Sequence, residues 1–247
     1  MEPVRSPRNP RVAEAVRLRR VRDRRETGLT LIEGPHLLAE ALAGGVEVVR
    51  VFAPIGDEPL AGEWIPVTAE VLARLAPTEH PRGPVAVIRI PPDRSSERDA
   101  LVLDVNDPGN AGSLIRSAAA FGLDVVFRPG SVDPWSPKVL RAGAGAHFRT
   151  RIGTSGGPGR GTIVTVVEGG VPIDDLVPHL DPNRRWDVVI GSEAHGVSDD
   201  DARTADVRVT IPMPGATESL NAAVAGGIAA YVISLWRRPG GDVGTGH

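Results

Sequence analysis

With 247 residues the chain can hold one large domain or two small ones around a real core. It contains no cysteine, which excludes disulfide scaffolds, thiolate nucleophiles and cysteine-ligated zinc, and its six histidines are scattered without metal-site spacing. The net charge of −3 conceals a lopsided distribution: Arg5, Arg8, Arg11, Arg17, Arg19, Arg20, Arg22, Arg24 and Arg25 crowd the start of the chain, where such a cluster can neutralise the phosphates of a polyanion.

That start is polar and basic with no apolar segment, so no secretory signal is read in it, and the missing cysteines suit the reducing cytoplasm as the expected compartment. Val12, Val16 and Val21 among the arginines predict one basic amphipathic helix over residues 11–25. A strand, LTLIEG, comes next, then a helix, PHLLAEALAG, opened by proline and closed by glycine. VEVVRVFAP reads as a second strand, TAEVLARLA as a helix and VAVIRI as a third strand, so residues 1–90 form a small α/β unit. Residues 91–99, PPDRSSERD, are proline-rich, charged and aperiodic, and read as a linker.

From 100 to 238 the strands LVLDV, DVVF, TIVTVV, DVVIG and VRVTI alternate with helical segments, which predicts a mostly parallel sheet with helices on both faces. The most apolar run, NAAVAGGIAAYVISLW at 221–236, falls short of the roughly 20 residues that span a bilayer. It reads as a buried helix whose glycines and alanines admit close approach of another helix. The glycine-rich residues 239–247 are expected to be disordered.

The stretch Asp104 to Gly122, DVNDPGNAGSLIRSAAAFG, runs from a strand through a glycine loop into a helix, the layout of a dinucleotide cradle. Its loop glycines, Gly109 and Gly112, do not fit G-x-G-x-x-G, the next strand ends in Arg128 rather than an acid, and G-x-x-x-x-G-K is absent. A nicotinamide-dependent oxidoreductase is therefore disfavoured. What remains is a polar pair, Asn110 and Arg116, on a helix whose core stripe is Leu114, Ala118 and Phe121. Taken alone, Asn110 reads as a simple helix cap and Arg116 as a surface residue.

Two further loops accompany it. VVIGSEAHGVS, 188–198, runs from a strand into a turn carrying Glu193 between Gly191 and Gly196, and IPMPGATESLNAAVAGG, 211–227, is a stiff proline-glycine loop with Ser219 or Asn221 opening the last helix. In this order the three motifs resemble those of the TrmH (SpoU) family of RNA ribose 2′-O-methyltransferases, within the SPOUT superfamily. The likeness extends over NPRVAEAVRLRRVRDRRETGLTLIEGPHLLAEAL, TEHPRGPVAV and VDPWSPKVLRAGAGAHFR, nearly the whole chain apart from linker and tail. Within the family the chain looks closest to the ribosomal RNA enzymes, including those that confer thiostrepton resistance. Departures are small: Ser113 replaces a common threonine, and Ala194 and Val197 replace a glycine and a larger aliphatic residue.

The resemblance implies a small N-terminal α/β RNA-binding domain followed over 100–238 by a SPOUT domain tied in a trefoil knot, a topology nearly absent among proteins generally. It implies S-adenosylmethionine as cofactor, held by Gly191, Ile211, Met213, Gly215 and Leu220, with Pro214 in the wall. Stiff loops at the carboxyl ends of α/β strands are also where such sheets bind ligands. Arg116, Asn110, Glu193, Ser219 and Asn221 are the implied catalytic set, for Ser219 and Asn221 with a purely capping role equally open. Arg116 would grip a phosphate and stabilise a developing alkoxide rather than act as a base, and His195 beside Glu193 is a further candidate for proton removal. A homodimer is implied, with no metal and no membrane. The expected substrate is large-subunit ribosomal RNA, with transfer RNA second and an inactive RNA-binding protein of the same fold as the rival. Arg11, Arg20, Arg25 and Arg141 are the expected RNA contacts.

Overall fold

The computed structural model describes residues 2–78, 81, 83–192, 196–215 and 217–238. It divides into two units, residues 1–92 with 133–149, and residues 93–132 with 150–247. The 239–247 tail lies outside the described residues.

In the first unit α1 (Pro10–Arg17) and α2 (Val21–Thr27) precede β1 (Leu29–Glu33), α3 (Pro35–Ala43), β2 (Val48–Pro54), β3 (Glu63–Val67), α4 (Ala69–Leu75) and β4 (Val85–Arg89). The sheet runs β1-β4-β2-β3, with β4 antiparallel to both neighbours and β2 parallel to β3. The single helix expected over 11–25 is two. At Arg20 the backbone turns extended (ψ 135°). Val12 and Ala15 of α1 are buried, but Val21 is exposed, and α2 buries Asp23 and Arg24 instead. Arg24, 3% exposed, donates from Nη1 to the Leu18 carbonyl at 2.8 Å and from Nε to Asp133 at 2.8 Å. Its charge thus satisfies the carbonyl end of α1 across the break, a loss that helix ends must make good.

Strand β3, EWIPV, escaped the sequence reading because Pro66 breaks a strand pattern. It lies at the sheet edge, where a missing N–H is tolerated. The Pro66 carbonyl there accepts from Val4 N at 2.9 Å.

Strand β5 (Ala100–Leu103), α5 (Pro108–Phe121) and β6 (Asp124–Phe127) open the second unit, and the chain then gives residues 133–149, with α6 (Pro137–Gly143), to the first. The sequence reading places 133–149 in the C-terminal domain, whereas by packing they group with the first unit. The reason is core chemistry: Leu140 is buried with Ile32, Leu38, Val51 and Ile88, and Trp135 packs against that cluster. Thr30 Oγ1 donates to the Trp135 carbonyl at 2.7 Å.

The second unit continues with β7 (Ile152–Gly153), β8 (Gly161–Thr165), β9 (Val171–Pro172), β10 (Trp186–Ile190), α7 (Asp199–Thr204), β11 (Val207–Thr210) and α8 (Ala222–Trp236). Its seven strands run β7-β6-β5-β10-β8-β11-β9, every pairing parallel. The near-continuous apolar strands follow from burial on both faces, the usual state of a parallel sheet. The second half of the expected linker is fastened down. Thr154 Oγ1 donates to Asp93 at 2.5 Å, and Asp124 Oδ2 accepts from Ser96 Oγ and Glu97 N, both at 3.1 Å. Buried Asp99 takes the Arg237 fork at 2.7 and 3.0 Å and the Trp186 amide at 2.8 Å, tying the ends of α8 and β10 together. Among the described residues no helix is long and apolar enough to cross a membrane, and no metal-type cluster of His, Asp and Glu occurs.

Candidate active site

Helix α5 begins with a cap, but the cap is not Asn110. Asp107 accepts from the Asn110 amide at 2.8 Å, which leaves the Asn110 side chain for other work. Asn221 caps α8: its Oδ1 accepts from Ala223 N at 2.9 Å and Val224 N at 3.3 Å. With the oxygen so committed, the amide nitrogen must point away, and it donates to Asn110 Oδ1 at 2.9 Å. Two motifs separated by more than a hundred residues meet in that bond.

The meeting depends on how closely α5 and α8 pack. Gly226 is buried against Leu114, and a Cβ there would collide with Leu114 Cδ2 and crowd Ile190. Gly227 follows, within reach of Ser117 of α5, and farther along the Phe121 and Tyr231 rings meet with centroids 5.5 Å apart. These contacts hold the two helix starts side by side.

Beside them, at the carboxyl ends of β8, β10 and β11, lies a cavity of about 370 Å³, within the range of small-ligand pockets, about 300–1,000 Å³. Ile190, Val197, Ile211, Met213 and Leu220 supply apolar surface, and Thr165, Ser192, Ser219 and Asn221 supply polar groups. No charged side chain lines it among the described residues. Gly191 is compulsory here: a Cβ would strike the Gly196–Val197 backbone, because Ser192 and Gly196 exchange hydrogen bonds at 3.0 and 2.9 Å and fold the loop upon itself. Gly196 sits at φ 67°, the left-handed region suited to glycine. The far end of this loop is clamped, since Arg128 grips Asp201 of α7 through two bonds at 2.5 and 2.7 Å and Ser198 caps that helix. The pairing holds the Asp201 carboxyl below its usual range and lifts Arg128 above its own.

Of the five residues expected to hold a cofactor, Gly191, Ile211, Met213 and Leu220 line the cavity, whereas Gly215 is exposed outside its lining, as is the expected wall residue Pro214. Of the catalytic set, Asn110 and Asn221 are joined, and Ser219 and Asn221 line the cavity. Arg116 is exposed on α5, outside the lining and without a hydrogen bond or ion pair to any described residue. Glu193 and His195 lie outside the described residues, as does Ala194. Thr165, Val166 and Val167 were missed. Nothing in TIVTVV marks its end as a ligand wall, and only the position of β8 between β10 and β11 puts it there.

The expected RNA contacts all fall in the first unit. Arg11 is exposed and paired with Glu63 at 3.2 Å. Arg20, Arg25 and Arg141 are exposed and form no ion pair with a described residue. Other arginines of the cluster serve structure: Arg24 as above, Arg17 on buried Asp23 at 2.8 Å, and Arg19 on the carbonyls of Arg74 and Ala76.

The profile of the SpoU rRNA Methylase family matches residues 100–231, over half the chain, and that of the MRM3-like substrate binding domain matches residues 9–86. The chain is 29% identical to the 23S rRNA (guanosine(2553)-2′-O)-methyltransferase RlmP of Bacillus subtilis, over 94% of its own length and 98% of the relative's. It is 32% identical to an uncharacterised tRNA/rRNA methyltransferase of Synechocystis, over 92% and 91% of the two chains. Among solved structures, the SpoU methyltransferase AviRb of Streptomyces viridochromogenes in complex with S-adenosylmethionine (AdoMet) superposes with a TM-score of 0.80 at 25% identity, covering 93% of this chain and 98% of that one.

Proposed function

The chain belongs to the SpoU rRNA methylase family and is an S-adenosylmethionine-dependent RNA ribose 2′-O-methyltransferase, and we propose that large-subunit ribosomal RNA is its substrate and that Asn110, Arg116, Glu193, Ser219 and Asn221 carry the reaction. The named specificity of RlmP, aligned over almost its full length, supports that substrate; transfer RNA is the second choice. The observation that carries the site is the Asn110–Asn221 bond beside the cavity.

The cavity fits the cofactor. Its apolar walls suit an adenosine, and among the described residues no cation lines it to repel a sulfonium. Gly191, Ile211, Met213 and Leu220 would hold it, with Pro214 stiffening the loop that carries Met213 and Gly215. When bound, S-adenosylmethionine supplies an electrophilic methyl group on sulfur. The chain's own task is to align a ribose hydroxyl and manage its proton. Alignment alone is worth about 7–11 kcal/mol at best. Asn110, its orientation fixed by Asn221, would hold the ribose by hydrogen bonding. A guanidinium keeps its proton at neutral pH, so Arg116 grips the adjacent phosphate and stabilises the developing alkoxide, and the proton leaves to that phosphate or to water. Glu193 would serve as an acceptor fixing Asn110 or Arg116.

A homodimer in the cytoplasm completes the proposal. Val224 (50% exposed), Ile228, Tyr231 (46% exposed) and Leu235 form one incompletely covered apolar stripe along α8, at the spacing of a single helix face. The test of the catalytic assignment is Arg116→Ala, assayed by calorimetry with S-adenosylmethionine and by labelled methyl transfer to unmodified total RNA, with the modified position mapped. Cofactor affinity should hold while transfer falls on the order of a hundredfold or more. Undiminished turnover refutes the role of Arg116, and a wild-type chain giving no heat with the cofactor would favour the inactive RNA-binding alternative.

A further inference from the structure

The clamp on the second-motif loop comes from an arginine that does not itself line the cavity. Arg128 directly follows β6, and its backbone is pinned: its N–H donates to the Leu103 carbonyl at 3.0 Å, and the Ser131 hydroxyl donates to the same carbonyl at 2.9 Å. From there the side chain reaches Asp201 in the first turn of α7 and binds both carboxylate oxygens, at 2.5 and 2.7 Å. The two side chains are 30% and 16% exposed, so water screens them far less than the Arg203–Asp200 pair on the same helix, 73% and 75% exposed. Asp104 and Asp187 add to the negative field around Arg128. Asp201 Oδ2 also accepts from Ser198 Oγ at 2.5 Å, and Ser198 Oγ accepts from the Asp201 amide at 3.1 Å. Arginine, aspartate and helix cap thus form one unit.

That unit abuts the cavity. Val197 directly precedes Ser198, lines the cavity and packs against the buried Ala100, Val102, Val126, Val164 and Val189 of the sheet. On its other side Gly196 bonds Ser192 and leaves no room for a side chain at Gly191. The stretch from Gly191 to Ser198 contains two glycines, which lose more freedom than other residues when fixed in one form. An arginine fork on a carboxylate sets distance and direction together, which a single bond cannot do. Arg128 stays outside the lining, so it acts on a bound ligand through Val197 and the Ser192–Gly196 turn.

We propose that Arg128 and Asp201 are positioning residues for the methyl donor, holding Val197 and the Ser192–Gly196 turn in the form that completes the cavity wall. Without the fork the loop takes that form only part of the time, and apparent donor affinity is reduced by that fraction. Saturating donor restores the form, because a ligand that binds one state draws the population to it. The inference rests on the S-adenosylmethionine reading of the cavity and deepens it.

The test uses the full-length protein. Calorimetry with S-adenosylmethionine gives affinity and the fraction of chains that bind, and labelled methyl transfer to unmodified total RNA gives KM for the donor and kcat. Arg128→Gln and Asp201→Asn should each weaken donor binding and raise KM about tenfold, a usual scale for coupling to a remote contact. The binding fraction and kcat at saturating donor should hold. The double variant should be no weaker than either single, since both remove the same contact. Arg128→Lys should recover part of the affinity, because it keeps the charge and loses the fork. Arg203→Ala, which breaks the exposed pair on α7, should change nothing. A purely structural role would lower the binding fraction and kcat together and leave the affinity of the remaining folded chains intact, and that pattern overturns the proposal. Wild-type affinity in both single variants overturns it too, as do losses that multiply in the double variant. Any of these results with heat from the wild type removes the clamp alone; a wild type that gives no heat removes the cofactor site and the clamp with it.

Discussion

The Asn221 side chain faces two ways: it caps α8 and it also holds Asn110. The capping oxygen is spent on Ala223 and Val224, which leaves the amino group for Asn110. The two roles can be separated. Asn221→Asp keeps the acceptor but cannot donate, so it should preserve thermal stability while methyl transfer falls; Asn221→Ala should lose transfer and also about 1 kcal/mol of stability with the cap. Equal loss of stability in both variants would contradict this division. His147 makes a second prediction at this scale. It is 2% exposed, its Nε2 donates to the Pro134 carbonyl at 3.0 Å, and a Cβ on Gly143 would overlap its ring. Burial outweighs the Pro134 bond and lowers its pKa from 6.5 to about 4. The unfolded chain therefore takes up a proton that the folded chain refuses. Stability is fully present above pH 6.5 and declines as pH falls toward 4, by about 3 kcal/mol in all. Denaturant titrations at pH 7 and pH 5 should show this slope in the wild type and lose it in His147→Leu.

Gly226 decides the spacing between elements. The sequence showed that NAAVAGGIAAYVISLW could admit a close helix, but not that the neighbour would be α5 of the first motif. Gly226→Val must displace Leu114 or Ile190, and overpacking of this kind costs about 1–3 kcal/mol. Because the displacement also parts Asn110 from Asn221, methyl transfer should fall further than the lost stability explains. A variant with full activity at reduced melting temperature would show that the helix spacing does not set the site. The division of the expected basic helix into α1 and α2 belongs to this scale too. Arginine counting could not reveal that Arg24 is buried on Asp133 and Leu18, since its partner lies far along the chain.

At the scale of the whole molecule, the α8 stripe predicts self-association. Tyr231→Arg should convert a dimer into a monomer in sedimentation, with the fold retained because Tyr231 is exposed in the single chain. A wild-type protein that sediments as a monomer would remove the basis of the dimer proposal. RNA affinity should fall steeply with salt as counterions return to the phosphates. Removing Arg20 and Arg25 together should flatten that slope, whereas Arg24 replacement should chiefly destabilise the fold. An unchanged slope in the double variant would move the RNA contact away from this patch.

The sequence by itself determined the two α/β units, the parallel sheet and the family, because strand alternation, linker composition and three ordered loop motifs are local patterns. Through the family resemblance of its loop motifs it also named Gly191, Ile211, Met213, Ser219, Leu220 and Asn221, all of which line the cavity. It could not place Thr165 to Val167 in the cavity wall or show that 133–149 pack with the first unit. Each of these depends on which distant segments become neighbours once apolar surface is buried, and strand order and core packing decide that only in the folded chain.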